Sequence, residues 1–401
     1  MQPAPEGREA DMDRTRLVAT GALLIAMLCA CRPGSAALPT DDQTSPQQAP
    51  ELNVPSATAP MAPPTAAATP TACSVSELFP LSKPGPHFAS NTSFSLVDET
   101  RNGREVRVTI WYPALRETDE QGHLRIRNAP PDTGSAPYPL ILTDPNTGDL
   151  ILQSHLATHG FAMAIVRFPD KYENWDYGVV DHPRDIAFAL AQIATHPPEG
   201  LEGVVDADHA GVVGYSWGGF YSLALSGVRI DPASYIGWCD RAPGIQETLP
   251  DWYIEYACGL AQNWHEFEAH VGEVVSAQDD GLWEPITDDR IRAVMPMAPD
   301  GAWLYGERGL ATANRPVFII EGANDEQAFE AEYIFRHLGA PDRSMVSFVG
   351  KGHMMVMEPD IAARIRHFVT AFFGYHLQET QAYRDYFSQE FVSQFDDLSW
   401  H

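Results

Sequence analysis

Short apolar segments alternate with amphipathic segments along most of the chain after about residue 90. Eight of the apolar segments are rich in β-branched and aromatic residues, as buried strands are. They cover residues 93–97, 105–111, 139–143, 161–168, 210–214, 291–297, 316–320 and 345–349. The best helical patterns between them cover residues 181–195, 217–226, 327–338 and 359–377. Alternating strands and helices predict a mostly parallel, eight-stranded sheet with helices on both faces.

Two connections in this pattern are distinctive. A short turn at residues 101–104, with Asn102-Gly103 at its centre, predicts an antiparallel hairpin of the first two strands at one edge of the sheet. By contrast, about sixty residues, 228–290, separate the helix at 217–226 from the next strand, far more than a usual connection. The aromatic residues of this insertion are Trp238, Trp252, Tyr253, Tyr256, Trp264, Phe267 and Trp283. We expect these side chains either to cap an apolar pocket or to pack the insertion onto the sheet.

A Gly-x-Ser-x-Gly sequence, residues 214–218, follows the fifth predicted strand and opens the helix at 217–226. In this strand-turn-helix context the two glycines allow a turn that is too sharp for a Cβ atom. The hydroxyl group between them then stands exposed above the sheet. The sequence therefore predicts that Ser216 is a nucleophile.

Two further residues of catalytic type follow later strands. Asp325 comes after the strand at 316–320, and His353 comes after the strand at 345–349. A serine hydroxyl becomes nucleophilic when an imidazole takes its proton, and a carboxylate holds that imidazole in the required tautomer. The order Ser216, Asp325, His353 is that of α/β-hydrolase triads. Asp300, which follows the preceding strand, is the alternative acid.

Acyl transfer also requires hydrogen-bond donors for the oxyanion that forms on the substrate. The N–H of Trp217 is one expected donor, and the loop after the third strand offers Asn146 or Thr147 as the second. Together these residues predict a carboxylic ester hydrolase that acts on small or lipid-like esters through an acyl-enzyme. Two alternatives remain open: cleavage of an amide or peptide bond by the same triad, and a surface lipoprotein that binds a ligand without catalysis.

The N-terminal residues have the composition of a targeting segment and a linker. Two arginines precede an apolar run at 17–30 that is too short to span a bilayer, which predicts a signal peptide over residues 1–30. The end of this run, Leu28-Cys29-Ala30-Cys31, resembles the lipobox of bacterial lipoprotein signals. That resemblance implies cleavage before Cys31 and acylation of its sulfur, and hence an exported protein of the cell envelope that is anchored to the membrane.

Residues 31–73 are rich in Pro, Ala and Thr and nearly lack large apolar side chains. Such a segment cannot bury enough surface to offset the entropy cost of ordering, so we expect a disordered tether. The folded hydrolase domain is then predicted to cover residues 74–401, including the cap-like insertion at 228–290.

The net charge and the cysteine content limit which molecules the protein can bind and which cysteines can pair. A net charge of −28 argues against nucleic acid, which binds basic surfaces. Cys29 and Cys31 belong to the signal region, so Cys239 and Cys258 form the expected disulfide and Cys73 is left without a partner. The spacing of histidines and cysteines predicts no metal site, and we expect no cofactor.

Several further segments resemble one group of proteins. They are Trp111-Tyr112-Pro113, Leu156-Ala157-Thr158-His159-Gly160-Phe161, His182-Pro183-Arg184-Asp185-Ile186 and the Gly-x-Ser-x-Gly sequence. They are similar to bacterial secreted α/β-hydrolases of the platelet-activating-factor acetylhydrolase and dienelactone-hydrolase-like group, and also to secreted polyester hydrolases. The resemblance implies the α/β-hydrolase fold and a catalytic triad. The chain departs from the group in having Ser216 where dienelactone hydrolases have cysteine, and Pro145-Asn146 where the group has His-Gly.

Overall fold

The computed structural model describes residues 74–119, 121–170, 175–242, 249–276 and 278–401, so the predicted signal peptide, the tether, Cys31 and Cys73 lie outside the described residues. The strands are β1 Phe88–Asp98, β2 Arg104–Ala114, β3 Tyr138–Thr143, β4 Ala162–Arg167, β5 Val205–Tyr215, β6 Ile291–Met297, β7 Val317–Gly322, β8 Arg343–Phe348 and β9 Leu398–Trp400. The helices are α1 Val75–Leu78, α2 His155–Thr158, α3 Gly178–Thr195, α4 Trp217–Ala224, α5 Pro232–Arg241, α6 Asp251–Ala257, α7 Trp264–Val271, α8 Glu273–Ser276, α9 Ala302–Leu310, α10 Ala328–His337, α11 Pro359–His376 and α12 Gln389–Val392. Within these described segments, none of the helices combines the length and the hydropathy needed to cross a bilayer.

The strands form one sheet in the order β1-β2-β4-β3-β5-β6-β7-β8-β9. Strands β3 to β8 are parallel to their neighbours within this set, whereas β1 and β2 form an antiparallel hairpin and β2 is antiparallel to β4. The predicted mostly parallel sheet is confirmed. The predicted number of eight strands is corrected to nine in the described part of the chain, because β9 pairs antiparallel with β8 at the second edge. A strand of three residues is too short to show a periodic pattern in the sequence.

Both faces of the sheet are covered, which explains the continuous apolar strands. Successive side chains of a strand point to opposite faces. In β3, Leu140 and Leu142 therefore pack in the core that includes residues of α3 and α4, and Ile141 packs in the core that includes residues of α11. All three side chains are fully buried. The carboxyl ends of the parallel strands are thus held rigidly at one edge of the sheet.

The insertion after α4 contains α5, α6, α7 and α8 in its described part. Several of its aromatic side chains are fully buried and pack its helices together and against the rest of the domain. They are Tyr235, Tyr253, Phe267 and Trp283. Trp252 of α6 differs, because 48% of its surface is exposed. The two expected roles of the aromatic residues, packing and lining a pocket, therefore apply to different side chains.

Candidate active site

A sharp turn between β5 and α4 places Ser216 at φ 58° and ψ −120°. A positive φ is strained for a residue with a Cβ atom, at a cost of roughly 1–3 kcal/mol. The Ser216 N–H donates to the Met297 carbonyl at 2.9 Å, which ties the turn to the end of β6. A Cβ atom on Gly214 would come within 1.9 Å of the Gly218 carbonyl oxygen, so the chain can turn here only with glycine at that position.

Ser216, His353 and Asp325 form one hydrogen-bonded chain beyond the carboxyl ends of β5, β8 and β7. His353 Nε2 lies 3.0 Å from Ser216 Oγ, and His353 Nδ1 lies 2.6 Å from Asp325 Oδ2. When Nδ1–H donates to the carboxylate, Nε2 is left as the acceptor for the serine hydroxyl. The structure therefore brings together the three residues predicted as a triad, although 137 positions separate the serine from the histidine.

The charges of Asp325 and His353 favour proton uptake by the His353 imidazole. Burial raises the pKa of Asp325, but hydrogen bonds from His353 and from the Gln327 N–H outweigh it, so the pKa of Asp325 is lowered overall. The hydrogen bond to Asp325 raises the pKa of His353 against the opposing effect of burial. An ionised Asp325 thus stabilises the imidazolium that forms when the serine loses its proton.

The raised pKa of His353 predicts how ester hydrolysis depends on pH on the acidic side. Only the neutral imidazole of His353 can take the Ser216 proton, so kcat/KM for an ester should increase as pH rises through the pKa of His353. In Asp325→Asn the imidazolium loses its counter-charge, and the midpoint should move to lower pH. Residual hydrolysis of p-nitrophenyl acetate, followed from about pH 5 to about pH 9, measures both midpoints. An unchanged midpoint in the variant would contradict the pairing.

Asp300, the alternative acid, is buried nearby but has a different partner. Its Oδ2 accepts a hydrogen bond from the Tyr256 hydroxyl at 2.7 Å. Its Oδ1 has no hydrogen-bond partner in the described part of the chain, and burial raises the pKa of Asp300 to about 6. Because His353 Nδ1 is bonded to Asp325, the geometry favours Asp325 as the acid and leaves Asp300 to hold Tyr256.

A second buried carboxyl group, that of Glu321, lies behind the triad. Glu321 near the end of β7 is 3% exposed, and its carboxyl group interacts with that of Asp325. Burial, together with the charge of Asp325, raises the pKa of Glu321 well above its ordinary range. A protonated Glu321 can donate to Asp325 and help to fix that carboxylate. Glu321 belongs to no catalytic motif in the sequence, and its signal there is a glutamate within the otherwise apolar strand β7.

A third buried carboxylate, Asp144, organises the loop after β3. Its Oδ2 accepts from the Asn146 N–H at 2.9 Å and from the Thr147 N–H at 3.4 Å. The Thr147 hydroxyl donates to the other oxygen of Asp144 at 2.5 Å and accepts from the Tyr215 N–H at 2.8 Å. The two N–H groups that the sequence offers as a second oxyanion donor thus both donate to Asp144 in this structure, and the oxyanion role of Asn146 or Thr147 stays a prediction.

Trp217 remains the expected oxyanion donor. It is the first residue of α4, and the N–H groups in the first turn of a helix point out of the helix end, where negative charge is stabilised. The indole of Trp217 lies beside the rings of Trp175 and Tyr256, with centroid distances of 5.6 Å to each. These three side chains form an aromatic wall next to the nucleophile.

Helix α6 of the insertion is fastened firmly beside the site. A disulfide joins Cys239 in α5 to Cys258 directly after α6, with the two Cα atoms 5.7 Å apart. The Tyr253 hydroxyl donates to the buried Glu330 carboxyl at 2.6 Å, and Tyr256 makes the contact with Asp300 described above. Covalent and polar contacts therefore hold helix α6 in place.

The comparison with known families agrees with this architecture. The Alpha/beta hydrolase family model matches residues 172–365, a range that contains Ser216, Asp325 and His353. No curated protein matches the chain. The sheet topology and the family match together show the α/β-hydrolase fold, and the match supports a hydrolase of this superfamily.

Proposed function

We propose that the protein is a serine hydrolase that cleaves carboxylic esters through an acyl-enzyme. The observation that carries this proposal is the hydrogen-bonded chain from Ser216 through His353 to Asp325, which begins at a strained turn. Ser216 alone would be a weak nucleophile at neutral pH. His353 supplies the base, and Asp325 orients that base and stabilises its protonated form.

In the first half-reaction, Ser216 Oγ attacks the ester carbonyl carbon while His353 Nε2 takes the hydroxyl proton. The carbonyl oxygen becomes an oxyanion, which the Trp217 N–H stabilises. Collapse of the tetrahedral intermediate breaks the bond to the alcohol oxygen. That oxygen takes the proton from His353, the alcohol leaves, and the acyl group remains on Ser216 Oγ.

In the second half-reaction, a water oxygen attacks the acyl carbon and His353 takes one proton of that water. Collapse of the second intermediate breaks the bond to Ser216 Oγ, which recovers its proton from His353. The carboxylic acid then leaves. One ester and one water molecule thus give one acid and one alcohol, while Asp325 stays ionised throughout.

An ester and an amide with the same acyl group test which bond is cleaved. We expect the purified protein to hydrolyse p-nitrophenyl acetate far faster than p-nitroacetanilide, because the nitrophenolate of the ester is the better leaving group. Faster cleavage of the anilide would favour the amide hydrolase. Cleavage of neither would favour a ligand-binding protein without catalysis, and the engagement of the Asn146 and Thr147 N–H groups by Asp144 would then explain the loss.

A further inference from the structure

If the protein cleaves esters as proposed, the position of His353 determines where the alcohol part of the ester lies. The imidazole that takes the serine proton later gives it to the leaving alcohol oxygen. That oxygen must therefore come within hydrogen-bond distance of His353 Nε2. The rest of the alcohol group then extends to the side of Ser216 on which His353 lies.

A groove of about 600 Å³ includes His353 and the next residue, Met354, in its lining. This volume is in the range of small-molecule sites. From these two facts, and from the side chains described below, we infer that the preferred substrate carries a bulky apolar alcohol group without negative charge. Trp252 and Met354 determine this preference.

Two apolar side chains line the groove from different elements. Trp252 comes from α6 and is 48% exposed, and Met354 follows His353 directly and is 65% exposed. Single exposed apolar residues are common on protein surfaces, but here two large ones line one groove beside the catalytic histidine. An apolar alcohol group that covers both would remove their surface from water, which favours its binding.

The position of Trp252 is constrained before any substrate binds. Trp252 is directly followed by Tyr253, whose hydroxyl donates to the buried Glu330, and the two rings meet edge-on with centroids 5.9 Å apart. The disulfide at Cys258 fixes the other end of α6. A side chain that is already ordered loses little conformational entropy on binding, so the apolar contact with Trp252 contributes to affinity.

The charges around the groove disfavour an anionic alcohol group. Glu326 and Glu358 line it together with Asp325, and no arginine or lysine is among the described residues of this lining. Lys351 pairs with Glu358 at 2.6 Å and offsets part of that charge. Glu326 is exposed and has no such ion pair within the described residues, so it is the main source of repulsion toward a negative group.

Two acetate esters with matched reactivity test the apolar preference. Propyl acetate and 3-phenylpropyl acetate differ only in a phenyl group that is remote from the reacting bond. We expect kcat/KM to be about tenfold higher for the phenylpropyl ester in the wild-type protein. Trp252→Ala and Met354→Ala should each reduce that ratio severalfold, mainly through KM.

The matched control is Met357→Ala. Met357 lies on the same turn as Met354, is 59% exposed and is not part of the groove lining. This variant should keep the wild-type ratio. Equal kcat/KM for the two esters in the wild-type protein, or an equal loss of the ratio in Met357→Ala, would overturn the inference.

A charged pair of esters tests the second part of the inference. The phenyl ring of 3-phenylpropyl acetate can carry a para-trimethylammonium or a para-carboxylate group. We expect the cationic ester to have a kcat/KM about threefold or more above that of the anionic ester at low salt, with the difference reduced at high salt and in Glu326→Gln. A faster anionic ester would overturn this part.

Failure of the inference and failure of the proposed function give different results. If acetates are cleaved but the alcohol group has no influence, only the inference is wrong. If no acetate is cleaved and a fluorophosphonate does not label Ser216, the proposed function itself is wrong.

Discussion

Ser216→Ala should lower kcat for p-nitrophenyl acetate by about 10⁶-fold, because the acyl-enzyme cannot form without the hydroxyl group. The alanine also removes the hydrogen bond to His353 but should leave the fold intact, since the glycines that shape the turn remain. Initial rates at saturating substrate, after repeated purification to exclude contaminating esterases, measure the effect.

Ser222→Ala is the control for this variant. Ser222 lies in α4, the helix that begins directly after Ser216, is fully buried and donates to the Gly219 carbonyl at 2.9 Å. Its loss should change stability by about 1 kcal/mol without a comparable change in kcat. A Ser216→Ala protein that keeps more than about one hundredth of the wild-type kcat would refute the assigned nucleophile.

Asp325→Asn should lower kcat by about 10⁴-fold. An amide in this position can donate to His353 Nδ1, which places the ring hydrogen on Nε2, and Nε2 can then no longer accept the Ser216 proton. Asp300→Asn should lower kcat by about tenfold or less, because its carboxamide oxygen can still accept from Tyr256. Both substitutions are nearly isosteric, so thermal unfolding of the two variants serves as a check that each is folded.

Comparison of the kcat losses in the two variants shows whether Asp325 or Asp300 is the catalytic acid. A greater loss in Asp300→Asn than in Asp325→Asn would move the acid to the end of β6. The structure predicts the opposite, because the 2.6 Å contact with His353 Nδ1 is made by Asp325 and the carboxylate of Asp300 is bonded to Tyr256.

The sequence was sufficient to predict the mostly parallel sheet and the approach of Ser216, Asp325 and His353 to one another, because both depend on local pattern and order. Each parallel strand is buried on both faces and therefore reads as a short apolar run, and each triad residue follows such a run. Parallel strands end at a common edge, so Asp325 and His353 had to approach Ser216 once the strand order was right.

The buried carboxyl groups could not be assigned in the same way. Glu321 and Asp300 are buried only in the folded domain, and their raised pKa values depend on that burial. The engagement of the Asn146 and Thr147 N–H groups has a local cause, since an aspartate side chain readily accepts the N–H groups two and three positions later. Asp144 does so here, and the sequence Asp144-Pro145-Asn146-Thr147 contained that signal.

The insertion shows a further limit of sequence patterns. Its aromatic residues look alike in the sequence, but Phe267 and Trp283 are buried in the core whereas Trp252 lies at the groove. The hydrogen bonds of Tyr253 and Tyr256 position α6, and this tertiary arrangement places Trp252 at the groove. The signal peptide and the lipid on Cys31 stay predictions from the sequence.

Labelling with an alkyl fluorophosphonate tests the central claim most directly, because this reagent bonds to a serine oxygen only when a neighbouring base activates it. Peptide mass mapping of the labelled protein should show one adduct, on Ser216, and no adduct on that residue in His353→Ala. An unlabelled wild-type protein, or labelling of Ser216 that is as fast without His353 as with it, would contradict the account.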